Sequence, residues 1–246
     1  PAPFITGNVA LMLTMLELAR EIKPDVFVQF STDEVYGPAE KDSAGHAEWD
    51  VIVPSNPYAA SKAAQEAIAI SYWRSYGVPL IITNTMNNFG EMQGASKFPA
   101  KIQSALEHGK PVSIHCAADG QIGTRYYLHS ENTADALLYI LRHCPPVLHT
   151  PGHIDRPERY NIVGNKQVSN LELAQTIAAL MGKPLETTLV NFHDTNPGHD
   201  LHYGLSGKKL AEKGWAAPLG FEESLRRTIR WQQENPEWIA EEKEIS

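Results

Sequence analysis

"VFVQFSTDEVYG", Val26 to Gly37, sets a short apolar run against a polar turn. Val26, Phe27, Val28, Gln29 and Phe30 carry the β-branched and aromatic bias of a buried strand. Ser31, Thr32, Asp33 and Glu34 follow, with no basic residue nearby to pair the two acids. Such a run can simply close a strand, because Ser and Asp bond the backbone in turns and helix caps. The segments on either side decide what sheet the strand belongs to.

Upstream, Asn8 to Arg20 has helical spacing. Val9, Met12, Leu13 and Leu16 form one apolar stripe and Leu11, Met15 and Leu18 another, which predicts a helix buried on two sides. Its stretch Asn8–Ala19 is like the core of a signal peptide, but no basic region precedes it and it contains Glu17. That stretch is too short to span a membrane. Downstream, Lys41 to Pro54 is a polar loop. Pro57 opens a helix that continues from Tyr58 to Tyr76 and stops at Gly77. "VPLIITNTMN" then predicts a second strand. Strand, loop, helix and strand in that order signal a parallel α/β sheet.

Beyond Gly90 the pattern mixes. A helix is predicted over Phe98 to His108, strands in "GKPVSIH" and "DGQIGTRYYLH", and a helix over Glu131 to His143 with Ala134, Leu137, Leu138 and Leu141 on one face. An irregular loop leads to a strand in "RYNIVG". Ser169 caps a helix ending at Met181, with Glu172 completing a capping box. "GFEESLRRTIRWQQENPEW" closes the chain as a helix.

The chain has 246 residues and a net charge of −8. That balance gives no basic face for nucleic acid. Cys116 and Cys144 form neither a CxxC pair nor a zinc spacing, which fits a reducing cytoplasm. His143, His149 and His153 share no helix face and gather no carboxylates, and His199-Asp200-x-His202 reads better as a ligand contact, so no metal site is expected.

A second chemical feature is "YAASK": Tyr58 and Lys62 lie four apart on one helix face. A tyrosine acting as a base near neutral pH needs its pKa lowered by about three units, roughly 4 kcal/mol of stabilisation. An ammonium one turn away is a source of it, although such pairs also occur on plain solvated helices. Taken together, a strand ending in Ser-Thr and a helix starting Tyr-x-x-x-Lys resemble the extended short-chain dehydrogenase/reductase family. "STDEVYG" is similar to its nucleotide-sugar 4,6-dehydratases of the dTDP-glucose type; epimerases and decarboxylases of that fold usually lack the Asp-Glu pair. "NPYAASKAAQE", "NTMNNFG", "DGQIGTR", "NPGHD" and the closing "FEESLRRTIRWQQENPEW" extend the resemblance from Pro3 to Trp238. Departures at "GTRYYLH", at "NFGEMQ" and at Leu201 and His202 bear on base and sugar specificity more than on chemistry.

The resemblance implies an α/β fold: the C-terminal part of a Rossmann-like parallel sheet plus a smaller mixed α/β substrate domain. Residues 1–90 would be the remnant of the NAD-binding domain. Residues 91–246 would mainly bind the nucleotide sugar, with some segments returning to the first domain. The family's Gly-rich NAD turn does not precede Pro1, so the expectation is a C-terminal part lacking roughly four strands, weak in NAD binding and without turnover by itself. The resemblance also implies NAD-dependent 4,6-dehydration of a nucleotide sugar of the dTDP- or UDP-glucose class. The catalytic residues would be Thr32, Asp33, Glu34, Tyr58 and Lys62. Ser31, Tyr58 and Lys62 would meet NAD, and Asn87, Asn88, Arg125, His199 and Asp200 the substrate. Tyr58 would accept the C4 hydroxyl proton, Glu34 the C5 proton, and Asp33 would protonate the departing C6 oxygen. C5 and C6 are bonded neighbours, which accounts for adjacent carboxylates. A nucleotide-sugar 4-epimerase and a non-catalytic remnant are the alternatives. A cytoplasmic homodimer joined by a four-helix contact is expected, with no membrane partner.

Overall fold

The strand expected at Val26 to Phe30 forms as Phe27–Thr32 in a computed structural model that describes residues 2–40, 43–191 and 200–238. In chain order the elements are α1 (Ala2–Ile22), β1 (Phe27–Thr32), a 3-10 turn (Asp33–Tyr36), α2 (Pro57–Tyr76), β2 (Leu80–Thr85), β3 (Asn87–Phe89), α3 (Phe98–Glu107), β4 (Val112–Cys116) and β5 (Thr124–His129). They continue with α4 (Ser130–His143), β6 (Glu158–Ile162), β7 (Gln167–Ser169), α5 (Asn170–Met181), β8 (Thr187–Asn191), α6 (Lys208–Glu212), α7 (Phe221–Glu234) and a last 3-10 turn (Pro236–Trp238). The chain divides into two compact units. One holds Pro1–Met86, Asp135–Val163 and Gly198–Ala216; the other holds Asn87–Ala134, Gly164–Pro197 and Ala217–Ser246.

The first unit is built on a parallel sheet of order β1-β2-β6. Phe27 pairs with Leu80 and Thr32 with Thr85; Ile82 pairs in turn with Arg159 and Asn84 with Asn161. All six residues of β2 are buried, as expected of a central parallel strand. Met12, Leu16 and Ala19 of α1 close over Ala69, Trp73, Val78, Leu80 and Ile82. Fully buried Leu16 contributes about 2 kcal/mol of hydrophobic stabilisation. Asn56 caps α2 by accepting from the Ala59 N–H at 2.8 Å, Pro57 fills the first turn, and Gly77 ends the helix in the left-handed region.

The second unit carries a sheet of order β3-β5-β7 and a pair β4-β8. Its core gathers Phe89, Ile102, Ile114, Tyr127, Leu173 and Leu225. The Ser169 hydroxyl accepts from the Glu172 N–H at 3.0 Å as the capping box requires, while the Glu172 carboxylate faces Lys166 at 3.4 Å.

Three expectations need correction. "VPLIITNTMN" is not one strand: β2 stops at Thr85, and Asn87–Phe89 joins β5 in the other unit. In α4, Ala136 and Ile140 are buried while Leu138 and Leu141 are about half exposed, so its buried face is not the one that leucine counting gives. In α1 Met12, Leu16 and Ala19 are buried, while Leu13 of the first stripe and Leu11, Met15 and Leu18 of the second remain exposed. That helix also runs 21 residues, longer than the apolar stretch alone suggests, and by length and composition it is able to cross a membrane. Its packing on α2 and the Asn8 amide bond to Ser61 at 2.8 Å mark it as a helix of the fold.

Candidate active site

Thr32 ends β1 at the carboxyl edge of the parallel sheet, where ligands bind in open α/β folds. The 3-10 turn begins at the next residue. Thr32 caps it, accepting from the Glu34 N–H at 3.3 Å and donating its hydroxyl to Asp33 Oδ1 at 2.9 Å. Gly37 closes the turn at φ 80°, and a Cβ there would collide with the Val53 carbonyl oxygen, so only glycine fits. The turn holds the two carboxylates in different surroundings. Asp33 is buried beside Thr32, whereas Glu34 is half-buried and accepts from Asn56 Nδ2 at 2.9 Å. Asn56 therefore does two things: its oxygen caps α2 and its nitrogen holds Glu34. Sequence reasoning missed it, although the Asn-Pro pair at a helix start was a visible cap signal.

The cap places Tyr58 in the first turn of α2. Its phenol is hydrogen-bonded to the Thr32 side chain, and the residue is 40 % exposed. Burial raises the Tyr58 pKa above the ordinary phenol value, and the charges of Glu34 and Asp33 raise it further. The expected lowering by Lys62 is not what this arrangement produces. Lys62 Nζ donates to the Phe30 carbonyl at 2.6 Å and to Gln65 Oε1 at 2.8 Å. Burial pulls the Lys62 ammonium below its ordinary value, with Glu66 opposing. Ser31 is buried next to Thr32. The first unit thus brings Ser31, Thr32, Asp33, Glu34, Tyr58 and Lys62 together around the end of β1.

Asn87, Asn88 and Arg125 lie in the second unit on neighbouring strands, with Asn87 opposite Tyr127 and Asn88 opposite Leu128. Both asparagines are exposed; the Asn88 side-chain oxygen accepts from the Thr133 hydroxyl. Arg125 is half-buried and donates to the Thr124 carbonyl at 2.7 Å. Asp200 is half-buried in the first unit, its N–H donating to the Tyr203 hydroxyl at 3.1 Å. His199 lies outside the described residues. Among the described residues no group of three His, Cys, Asp or Glu side chains could hold a metal ion.

Residues 1–162 match the NAD dependent epimerase/dehydratase family. The chain belongs to this family. The dTDP-glucose 4,6-dehydratase of Haemophilus influenzae is 36% identical to it over 250 residues, covering 94% of this chain and 70% of that protein. A trifunctional UDP-glucose 4,6-dehydratase/UDP-4-keto-6-deoxy-D-glucose 3,5-epimerase/UDP-4-keto-L-rhamnose-reductase of Arabidopsis thaliana is 36% identical over 213 residues, and the chain spans 30% of its length. Among solved structures, dTDP-glucose 4,6-dehydratase of Bacillus anthracis in complex with NAD superposes with a TM-score of 0.81 at 30% identity, over 96% of this chain and 71% of that one. The UDP-glucose 4-epimerase of Thermus thermophilus, also with NAD, has a TM-score of 0.79 at 25% identity, over 92% and 70% of the two chains. The Rossmann-like α/β class expected from the sequence is the class of this family.

Proposed function

We propose that the chain carries out the chemistry of an NAD-dependent nucleotide-sugar 4,6-dehydratase, converting a nucleotide-activated glucose of the dTDP- or UDP-glucose class into its 4-keto-6-deoxy product. The observation that carries this reading is the Asp33–Glu34 pair on one turn, held by separate partners beside Thr32 and Tyr58. A proton at C5 becomes acidic once C4 is a ketone. The Tyr58 oxygen receives the C4 hydroxyl proton while Thr32 Oγ1 holds the same oxygen. NAD, when bound, would accept hydride from C4, return it to C6, and bring a cationic ring that favours the Tyr58 phenolate. The hydroxyls of Ser31 and Tyr58 and the Lys62 ammonium fit the ribose at its nicotinamide end. Glu34 takes the C5 proton and Asp33 delivers one to the C6 oxygen, so that water leaves across C5 and C6. Within the second unit Asn87, Asn88 and Arg125 meet the substrate, Arg125 as the charge-assisted donor to phosphate; His199 and Asp200 keep the substrate-contact role that the family resemblance implies.

Two further proposals concern the setting. Exposed Leu11, Leu13, Met15 and Leu18 on α1 support a homodimer in which α1 and α2 of two subunits form a four-helix contact. Two free, buried cysteines suit a reducing cytoplasm.

The Thr32–Tyr58 pair alone suffices for oxidation at C4, which also supports a 4-epimerase; Asp33 and Glu34 then have no task. Turnover of nucleotide-activated glucose by the full-length protein with NAD in deuterated water separates the readings. The dehydratase gives a 4-keto-6-deoxy product labelled at C5, and Glu34→Gln cuts that labelling at least about tenfold, within the usual range for general base catalysis. A C4 epimer without label at C5 would sink the dehydratase reading.

A further inference from the structure

Two charges sealed inside the first unit have no part in this chemistry. Glu66 is 0% exposed and Arg159 1%, and they form an ion pair at 2.7 Å. Burying both ions is costly, and an apolar replacement is often as stable, so stability alone is a poor reason to keep such a pair. The geometry it imposes is more telling.

Glu66 continues the face of α2 that bears Tyr58 and Lys62, each four residues from the next. Its two oxygens reach opposite ends of the 3-10 turn. Oε1 accepts from Asn84 Nδ2 at 2.9 Å, and that same nitrogen donates to the Thr32 carbonyl at 3.0 Å, where the turn begins. Oε2 accepts from Arg159 Nη2 at 2.7 Å; Arg159 Nη1 donates to the Tyr36 hydroxyl at 3.0 Å, where the turn ends. The Tyr36 hydroxyl passes the chain on, donating to the Glu48 carbonyl at 2.8 Å. Burial pushes the Tyr36 pKa up to about 12, so its hydroxyl keeps its proton. The Trp49 ring lies 4.3 Å from the Arg159 guanidinium carbon and backs the fork. A planar guanidinium serves two fixed acceptors at once, which a single ammonium does poorly.

We propose that Glu66, acting through Asn84 and Arg159, is a positioning residue that fixes the Asp33–Glu34 turn in register with Tyr58. What the turn does rests on the dehydratase reading; that it is clamped does not. Tyr58 and the carboxylates come from different segments and must serve adjacent sugar carbons, and misplacement by about 1 Å can cost about a hundredfold in rate.

The double variant Glu66→Gln/Arg159→Met removes both charges and strands neither. Amide hydrogen exchange on the full chain compares the turn amides of Glu34 and Gly37, bonded at 3.3 and 3.1 Å, with those of β2. The expected result is exchange at least tenfold faster in the turn with β2 unchanged, and kcat at least tenfold lower with KM within about twofold. Equal acceleration in turn and strand, the mark of a merely structural role, overturns the proposal, as does no change in either. If the double variant does not fold, Tyr36→Phe cuts only the far link, and the same selective rise at Gly37 is required of it. Exchange is read without turnover. Absence of dehydratase activity in the full-length protein therefore refutes the functional reading alone, and an unmoved turn refutes the clamp alone.

Discussion

Single residues at the end of β1 do more than their types suggest. Thr32 caps a turn, donates to Asp33 and bonds Tyr58. Asn56 joins the start of α2 to Glu34. Asp is as good an N-cap as Asn, so Asn56→Asp separates these two tasks. The variant should keep its thermal stability within a few degrees while a donor to Glu34 is replaced by a like charge. Labelling at C5 should then fall at least about tenfold, the low end of what a displaced general base costs. Asn56→Ala should instead lose about 1 kcal/mol of stability in urea titrations. If Asn56→Asp labels C5 like the parent, the amide contact seen here has no bearing on Glu34. Thr32, Asp33, Glu34, Tyr58 and Lys62 could be proposed from the sequence because each lies in a short local pattern. Asn56 was half legible, as a cap; its second partner lies 22 positions away and has no local signature. Glu66 and Arg159 were hidden for the same reason, being 93 positions apart.

At the scale of elements, local rules and tertiary packing diverge in predictable places. Caps and glycine stops located α2 and α5 because backbone chemistry decides them within a few residues. The break after Thr85 was illegible, since "ITNTMNNF" has one continuous strand-like composition and only the partner strands differ. The face of α4 was misread because Ala136 and Ile140, with the polar Asn132 and Thr133, are its buried residues rather than the leucines. For α1 the sequence shows two apolar sides and the chain covers one. The proposed dimer covers the other. Static light scattering at micromolar concentration should give twice the chain mass, and Leu13→Glu, on the 41 % exposed side, should halve it with unchanged circular dichroism. A parent chain that scatters as a folded monomer removes the four-helix contact from the account.

Across the whole molecule, buried phenols set a limit on stability at high pH. Tyr36 in the first unit and Tyr127 in the second are both raised from 10.0 to about 12, chiefly by burial; the charge of Arg159 opposes this at Tyr36 and that of Arg125 at Tyr127. The folded chain then holds protons that the unfolded chain has already lost between pH 10 and about 12. Stability from these groups is complete below pH 10 and falls as pH rises through that window. A difference of about two units is worth roughly 2–3 kcal/mol per group. Lys62 works the other way: its lowered pKa makes stability rise with pH below 10.5. Tyr58 and Tyr160 are raised by burial as well, so the phenols should prevail over one ammonium. Urea midpoints should hold steady up to about pH 10 and then drop steeply in both units. Tyr127→Phe should flatten the drop for the second unit and leave that of the first, because Tyr36 still ionises on unfolding. Tyr36→Phe should only lessen the drop of the first unit, because Tyr58 and Tyr160, both raised chiefly by burial, lie in that unit as well; its cost at pH 8 reports the lost bonds to Arg159 and Glu48 separately from any titration. Midpoints that stay level to pH 12 would mean that these hydroxyls ionise in the folded chain as easily as in the unfolded one, which the burial of both rings argues against.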